Sequence, residues 1–228
     1  MAAPMLRVQF LRRFSTQRCL AFSRTIDTLH SMPFRSPVMA AQTDVYGKLL
    51  SERIIYLAGP VDDALATSIT AQLLYLESQS STKPIHIYIN SPGGAITSGL
   101  AIYDTIQYIK APVSTVCLGQ ACSMGSLLLA SGTKGLRLAL PNSIIMVHQP
   151  SGGFSGQASD IEIHANHIIN TKRKLQEIYL KHMDSSMTIE KIGELLERDR
   201  FLTAEEAVEL GLADKVLGNR QSNEVKEE

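Results

Sequence analysis

A serine, Ser123, lies in the uncharged stretch GQACSMGS (residues 119–126), where a strand-like run gives way to a short helical one. A side chain at the end of a parallel strand lies at the sheet edge where open α/β folds bind ligands. The first N–H groups of the following helix have no partners within it and favour a developing negative charge. Ser123 is therefore a candidate nucleophile, although position alone favours the simpler role of a helix N-cap. The nucleophile elbow of α/β-hydrolases does not fit, because it needs glycine where Ala121 stands.

A histidine and a glycine pair could complete a nucleophilic site around Ser123. His148 ends the apolar run IIMVHQP, so it is placed to act as a base at the same sheet edge. Gly93 and Gly94, in SPGG, can bring bare backbone N–H groups close to a ligand, as an oxyanion hole requires. A tight turn explains these glycines equally well. A phosphate-binding loop would need a following lysine or a G-x-G-x-x-G run, and the sequence has neither here.

The acid that would orient His148 cannot be chosen from the local sequence. The candidates are Asp104, Asp160, Asp184, Asp199 and Asp214. His164 and His167 have the spacing of a metal pair on a helix, but no cluster of carboxylates or cysteines supports that interpretation. We therefore expect no metal site and interpret the two histidines as part of a solvated helix face.

The composition favours one sizeable core without a charged macromolecular partner. The chain has 228 residues, zero formal net charge and 44% hydrophobic residues, which gives no reason to expect nucleic acid or an anionic membrane as a partner. Its three cysteines, Cys19, Cys117 and Cys122, form neither a disulfide framework nor a zinc motif. The longest uncharged run, residues 111–133, is interrupted by a Gly-Gln pair (residues 119–120). We interpret that run as a buried strand that breaks at this pair and leads into a helix, and not as a membrane span.

The first 40 residues have the composition of a targeting segment. They contain six arginines, no lysine and a single acidic residue, Asp27. The stretch MLRVQFLRRFSTQRCLAF alternates apolar and arginine positions as an amphipathic cationic helix would. We interpret residues 1–40 as a mitochondrial transit peptide with a short following segment; a disordered basic tail and a plastid address are the alternatives. A folded domain is expected over residues 41–218, and a polar disordered tail over residues 219–228.

Strand and helix patterns alternate through the folded part. The strand-like runs IIYLAG, IHIYIN and VSTVCLG are separated by two segments with apolar residues at helical spacing. This order predicts an α/β fold of right-handed βαβ units and a largely parallel sheet. Ser159 and Glu162 predict a capping box for a long helix that ends near His182 and is too long for the domain to cover. Thr203 and Glu206 predict a second capping box before a short helix, and ADKVLG predicts a last strand.

Five motifs in this order resemble one known family. INSPGG (residues 89–94), GQACSMGS, MVHQP (residues 146–150), GQASDIEIHA (residues 156–165) and ERDRFLTAEEAVELGLAD (residues 197–214) are similar to the proteolytic subunits of the Clp protease family. The resemblance covers residues 51–218. It implies a serine peptidase with Ser123 as nucleophile, His148 as general base and acid, and Asp199 as the orienting acid. It also implies an oxyanion hole built from the N–H groups of Gly94 and Met124.

The same resemblance implies how the chain would assemble and work. The expected fold is the crotonase-like α/β fold with a projecting strand-helix handle, in two stacked heptameric rings. Gln157, Asp160 and Arg198 would make the contacts between rings. An AAA+ unfoldase of the ClpX type would deliver unfolded proteins in the mitochondrial matrix. The unfoldase would use the ATP, and no cofactor is expected for this chain. Its docking groove would be formed by Leu74, Tyr88, Tyr108, Val116 and Leu118.

Three departures from the family pattern bear on function. Cys122 stands beside the nucleophile in place of the usual alanine and is expected to sensitise the site to thiol reagents. His86 replaces a common aromatic in the docking groove and is expected to weaken unfoldase binding. The segment SPVMAAQTDVYGKLL is shorter than the usual pore-lining loop, which bears on gating. The alternatives are a non-catalytic or weakly coupled ring subunit, and an acyl-CoA enzyme of the crotonase type, which would normally use a carboxylate base.

Overall fold

The computed structural model describes residues 45–218, which form seven helices and seven strands. The helices are α1 (residues 45–51), α2 (Asp63–Gln79), α3 (Ile96–Tyr108), α4 (Met124–Ala130), α5 (Ala158–His182), α6 (Ile189–Leu195) and α7 (Ala204–Glu209). The strands are β1 (Ile54–Ala58), β2 (Ile85–Ser91), β3 (Val113–Cys122), β4 (Arg137–Ala139), β5 (Ile144–Val147), β6 (Arg200–Leu202) and β7 (Lys215–Val216). The predicted transit peptide and the predicted polar tail lie outside the described residues.

The seven strands form one mainly parallel sheet, as the alternating pattern predicts. Strands β1, β2, β3, β4 and β7 lie side by side in that order, and all of these pairings are parallel. Strand β5 adds in parallel to the end of β3, and β6 pairs antiparallel with β5. The sequence patterns predicted neither β6 nor its antiparallel pairing, because three residues are too few for a period to be read.

The period-two pattern of β2 separates a core face from a half-exposed face. Ile85, Ile87 and Ile89 are buried, and the residues between them are half-buried. Buried side chains of α2, α3 and α4 join the same core. The helices therefore cover the isoleucine face of the sheet and leave the alternating face partly open.

The predicted break in the uncharged run is wrong, because β3 continues through Gly119 and Gln120 to Cys122. Gly119 has a φ of +70°, and the strand changes its partner around it. Residues 115–117 pair with β4, whereas residues 120–122 pair with β5. The glycine thus bends the strand toward a new neighbour instead of ending it. Within residues 45–218, no helix has the length and apolar character needed to cross a membrane.

The long helix α5 ends at His182 as predicted, but its start differs from the prediction. It begins at Ala158 after Gln157, which makes no side-chain capping bond. The Ser159–Glu162 capping box is therefore wrong, because Ser159 lies inside the first turn, where its backbone is helical. Side chains over most of the first half are exposed, and full burial begins only at Leu175. The second predicted box, Thr203 with Glu206, is present at α7.

Candidate active site

Ser123 occupies the single residue between β3 and α4, and its backbone is unusual. Its φ of +53° and ψ of −119° lie outside the conformations that a side-chain-bearing residue prefers. The N–H of Ser123 donates to the carbonyl of Met146 on β5 at 2.8 Å, which fixes the turn against the neighbouring strand. The side chain makes no capping bond to α4. The N-cap interpretation therefore does not describe the role of the hydroxyl.

The hydroxyl of Ser123 instead faces His148, which follows β5. Ser123 Oγ lies 2.9 Å from Nε2 of His148, and Nδ1 of the same ring lies 2.8 Å from Oδ1 of Asp199. With Nδ1–H donating to the carboxylate, Nε2 is left as the acceptor for the serine O–H. The three side chains thus form one continuous chain of hydrogen bonds, with 26% of the His148 side chain and 64% of the Asp199 side chain exposed.

Strand β6 explains why Asp199 is the acid that meets His148. Antiparallel pairing places Val147 opposite Arg200, so the residues just outside the ladder, His148 and Asp199, also come together. The other candidate with an ionic partner, Asp214, pairs with buried Arg137. Strand β6, which was not predicted, sets the register that brings Asp199 to His148. The local sequence therefore contained no signal that singled out Asp199.

The SPGG loop lies directly against the Ser123 turn. A methyl group added at Gly93 would stand 2.7 Å from Cβ of Ser123 and 2.7 Å from the carbonyl oxygen of Cys122. One added at Gly94 would stand 2.3 Å from the carbonyl oxygen of Val61. Both glycines also have φ values, +90° and +155°, that other residues rarely adopt. These two positions require glycine for space and for conformation.

Buried Val61 holds the glycine loop and was not recognised from the sequence. Its N–H donates to the carbonyl of Gly93 at 2.8 Å, and its carbonyl accepts from the N–H of Ala95 at 2.7 Å. Among residues 45–218, the N–H of Gly94 makes no hydrogen bond. Met124, as the first residue of α4, has no intrahelical acceptor for its N–H. The N–H groups of both predicted oxyanion donors, Gly94 in the loop and Met124 in the turn, are therefore uncommitted.

An open cleft lies next to the hydrogen-bonded Ser123, His148 and Asp199, on the side of β5 and β6. A cleft of about 530 Å³ is lined by His148, Gln149, Pro150, Ser151, Glu197, Arg198 and Asp199. A more enclosed, mainly apolar cavity of about 230 Å³ shares Pro150 and Ser151 with it and extends between α3 and α5. The open cleft and the apolar cavity therefore meet at Pro150 and Ser151, close to His148.

Cys122 is less available to reagents than its position beside Ser123 suggests. Only 6% of the residue is exposed, and burial raises the pKa of its thiol despite a hydrogen bond from the backbone of Met146 that acts in the opposite direction. The thiolate is the reactive form of cysteine. We therefore expect slow reaction with thiol reagents, in contrast to the sensitivity predicted above.

The remaining predicted residues lie away from the Ser123 turn or on the surface. Gln157, Asp160 and Arg198 are exposed. In the predicted docking groove, Leu74 and Tyr108 are exposed, Tyr88 and Leu118 are half-buried, and Val116 is buried beside Tyr88 on the sheet. His164 stacks on Phe154 with ring centroids 3.7 Å apart. No set of three metal-ligating side chains gathers anywhere within residues 45–218.

An α/β sheet that presents a serine, a histidine and an aspartate in one hydrogen-bonded chain has the geometry of the Ser-His-Asp hydrolases. The family model described as Clp protease matches residues 38–220. This chain belongs to the Clp protease family and is of the ClpP type, the peptidase of that system. Members of the family form rings and act with ATPase partners.

Proposed function

We propose that the chain is the catalytic serine endopeptidase subunit of an ATP-dependent Clp protease, with Ser123 as nucleophile. The observation that carries the proposal is the unbroken chain of hydrogen bonds from Asp199 through His148 to Ser123 Oγ. Ser123 Oγ attacks the carbonyl carbon of a peptide bond while Nε2 of His148 accepts its proton. The C–N bond then breaks, and His148 returns the proton to the departing amine. Water, activated by the same ring, releases the acyl group from Ser123.

The oxyanion of the tetrahedral intermediate would be bound by the N–H groups of Gly94 and Met124. Support comes from the approach of the SPGG loop to the Ser123 turn and from the uncommitted state of both N–H groups. Each such donor lowers the barrier by roughly 3 kcal/mol in comparable sites. The positive end of α4 adds a favourable dipole at the same place.

Confinement in rings would make an unselective peptidase tolerable. We propose two stacked heptameric rings, joined through the exposed first half of α5 and through Gln157, Asp160 and Arg198. A ClpX-type AAA+ unfoldase would dock on the ring face, at the groove that includes exposed Tyr108, and would use ATP to feed unfolded chains inward. The arginine-rich composition of residues 1–40 supports action in the mitochondrial matrix. Import and shortening of the precursor by isolated mitochondria would test that location.

The function is tested by peptide hydrolysis with wild-type protein and the Ser123→Ala variant. We expect the wild type to cleave short fluorogenic peptides, and the variant to show only background cleavage although it assembles to the same mass. Equal turnover by both proteins would reject Ser123 as nucleophile. A correctly assembled wild type without turnover would favour the non-catalytic ring subunit. ATP-dependent degradation of a folded, tagged protein in the presence of a matrix unfoldase then tests the coupling separately.

A further inference from the structure

A second, buried chain of hydrogen bonds, separate from the one through His148, ends on the backbone of the Ser123 turn. The hydroxyl of Ser126 donates to the carbonyl oxygen of Ser123 at 2.7 Å and lies 2.8 Å from the hydroxyl of Tyr179. Because the Ser126 proton is committed to the carbonyl, Tyr179 donates to Ser126. The Tyr179 hydroxyl also lies 3.4 Å from the same carbonyl. Burial raises the pKa of Tyr179 to about 12, so the phenol remains a donor at working pH.

These bonds act on a residue with a strained backbone. Ser123 holds a φ of +53° without being glycine, and such conformations persist only where the surroundings over-determine them. Hydrogen bonds in a low-dielectric interior strengthen one another along a chain. A serine hydroxyl that bonds the carbonyl three residues earlier is common in helices. Tyr179, which lies on α5 and is 53 residues from Ser126 in sequence, links this local bond to a distant helix.

Tyr179 belongs to the same helix that projects from the domain. It is one of the two buried residues of α5, whereas most side chains of the helix's first half are exposed. The buried end of α5 therefore touches the Ser123 turn through Tyr179. A displacement of this end would be transmitted to the carbonyl of Ser123 through two short hydrogen bonds.

We propose that Tyr179 and Ser126 are positioning residues that hold the Ser123 turn in its reactive conformation and tie it to α5. This inference rests on the proposed function of Ser123. Neither side chain reaches the substrate; both act through the Ser123 backbone. Loss of either hydroxyl leaves the carbonyl less constrained, so that the serine hydroxyl spends less time aligned with His148. The expected signature is a lower kcat with little change in KM.

The test compares Tyr179→Phe, Ser126→Ala and the double variant with the wild type. Each single variant is expected to lower kcat for peptide hydrolysis by about threefold to tenfold, the effect of roughly one neutral hydrogen bond. Because both residues act in one chain, the double variant should lose no more than the more affected single variant. KM, ring mass and Tm should stay close to wild type. The second-order rate of fluorophosphonate labelling should fall in parallel with kcat.

Tyr103→Phe is the matched control. Tyr103 is also buried, and its hydroxyl also shares a hydrogen bond with α5, 2.9 Å from Nε2 of His182, but no hydrogen bond joins it to the Ser123 turn. The control should keep wild-type kcat. The inference is overturned if Tyr179→Phe and Ser126→Ala both keep kcat within twofold while Ser123→Ala is inactive, or if Tyr103→Phe loses as much as they do. Wild-type turnover by Ser123→Ala would instead remove the proposed function, and this inference with it.

Discussion

At the scale of single residues, the decisive feature is what the Ser123 hydroxyl does. A capping serine would bond an N–H of the following helix, and Ser123 does not. Its hydroxyl faces Nε2 of His148, and the positive φ that permits this costs on the order of 1–3 kcal/mol. Hydrogen bonds from the Ser123 N–H to the Met146 carbonyl and from the Ser126 hydroxyl to the Ser123 carbonyl help to hold this conformation. The conformation thus directs the hydroxyl toward His148 and not toward the helix, as the proposed nucleophile requires.

Replacement of Asp199 by asparagine is expected to lower kcat by about 10³- to 10⁴-fold. The amide can donate to Nδ1 and so favours the tautomer in which Nε2 carries the proton and cannot accept one from Ser123. Because the carboxylate is largely exposed, Tm should change little. Asp104→Asn, at an exposed position of α3, is the control and should keep wild-type turnover. Steady-state peptide hydrolysis measures both, and more than a tenth of wild-type kcat in Asp199→Asn would contradict the assigned role.

At the scale of elements, the predictable parts were those with a clear period or motif. The alternation in β2 and the helical spacing in α2 and α3 were sufficient to predict parallel βαβ units. The end of β3 was not predictable, because a glycine inside a strand can mark either a break or a bend, and its new partner β5 decides which. The choice of Asp199 likewise depended on β6, whose three residues acquire their structure only by pairing with β5. Ser123, His148 and the glycine pair were identifiable because each follows closely after the end of a strand.

Gly93→Ala tests the packing of the SPGG loop against the Ser123 turn. The added methyl group would stand 2.7 Å from both Ser123 Cβ and the Cys122 carbonyl, and alanine disfavours a φ of +90°. The loop must shift, so we expect kcat/KM to fall by about 10²-fold or more, the effect of losing an oxyanion donor. Gly153→Ala is the matched control, because a methyl group there meets nothing within 4 Å and the φ is ordinary. Near-wild-type kcat/KM for Gly93→Ala would show that the loop is not required in this position.

The buried end of α5 should make stability depend on pH through His182. Burial, with Lys181 and Arg137 nearby, lowers the pKa of His182 to about 4 in the folded chain, against 6.5 for a free histidine. Between these values the unfolded chain binds a proton that the folded chain does not. The free energy of unfolding should therefore decrease as pH falls from 6.5 toward 4, by on the order of 2 kcal/mol once solvent screening of the partly exposed ring is allowed for.

Urea unfolding of the intact protein at pH 7 and pH 5 measures this effect. His182→Gln removes the titrating group while its amide can still bond the hydroxyl of Tyr103. The variant is expected to lose less stability than the wild type between the two pH values. An identical loss in both proteins would show that His182 is not the group responsible.

At the scale of the whole molecule, one chain leaves surfaces that its own core does not cover. The first half of α5 carries exposed Ile161, Ile163 and Ile169, and Tyr108 is 82% exposed at the end of α3. Sequence periodicity could predict that α5 outgrows the domain, but a partner's position depends on a surface that another subunit supplies. The ring assembly therefore stays a proposal that mass measurements can test.

Reversal of one charge is expected to separate the rings. Arg198→Glu places a carboxylate beside Glu197 and Asp199 on the exposed segment that precedes β6, so any anionic partner across the ring interface would be repelled. Native mass spectrometry should show the double-ring mass falling toward single rings. Lys83→Glu, an exposed charge reversal distant in sequence from α5 and β6, is the control and should keep the full mass. An unchanged double-ring mass for Arg198→Glu would argue against Arg198 as an inter-ring contact.

The most direct test of the central claim is to locate the site of fluorophosphonate modification in the intact protein. The probe forms a stable bond only with an activated serine hydroxyl, and mass spectrometry of the digested adduct identifies that residue. We expect a single modified site, Ser123, and no modification when His148 is replaced by alanine. Modification of a different serine, or an assembled wild-type protein that resists the probe, would contradict the claim that Ser123 is the nucleophile of a serine peptidase.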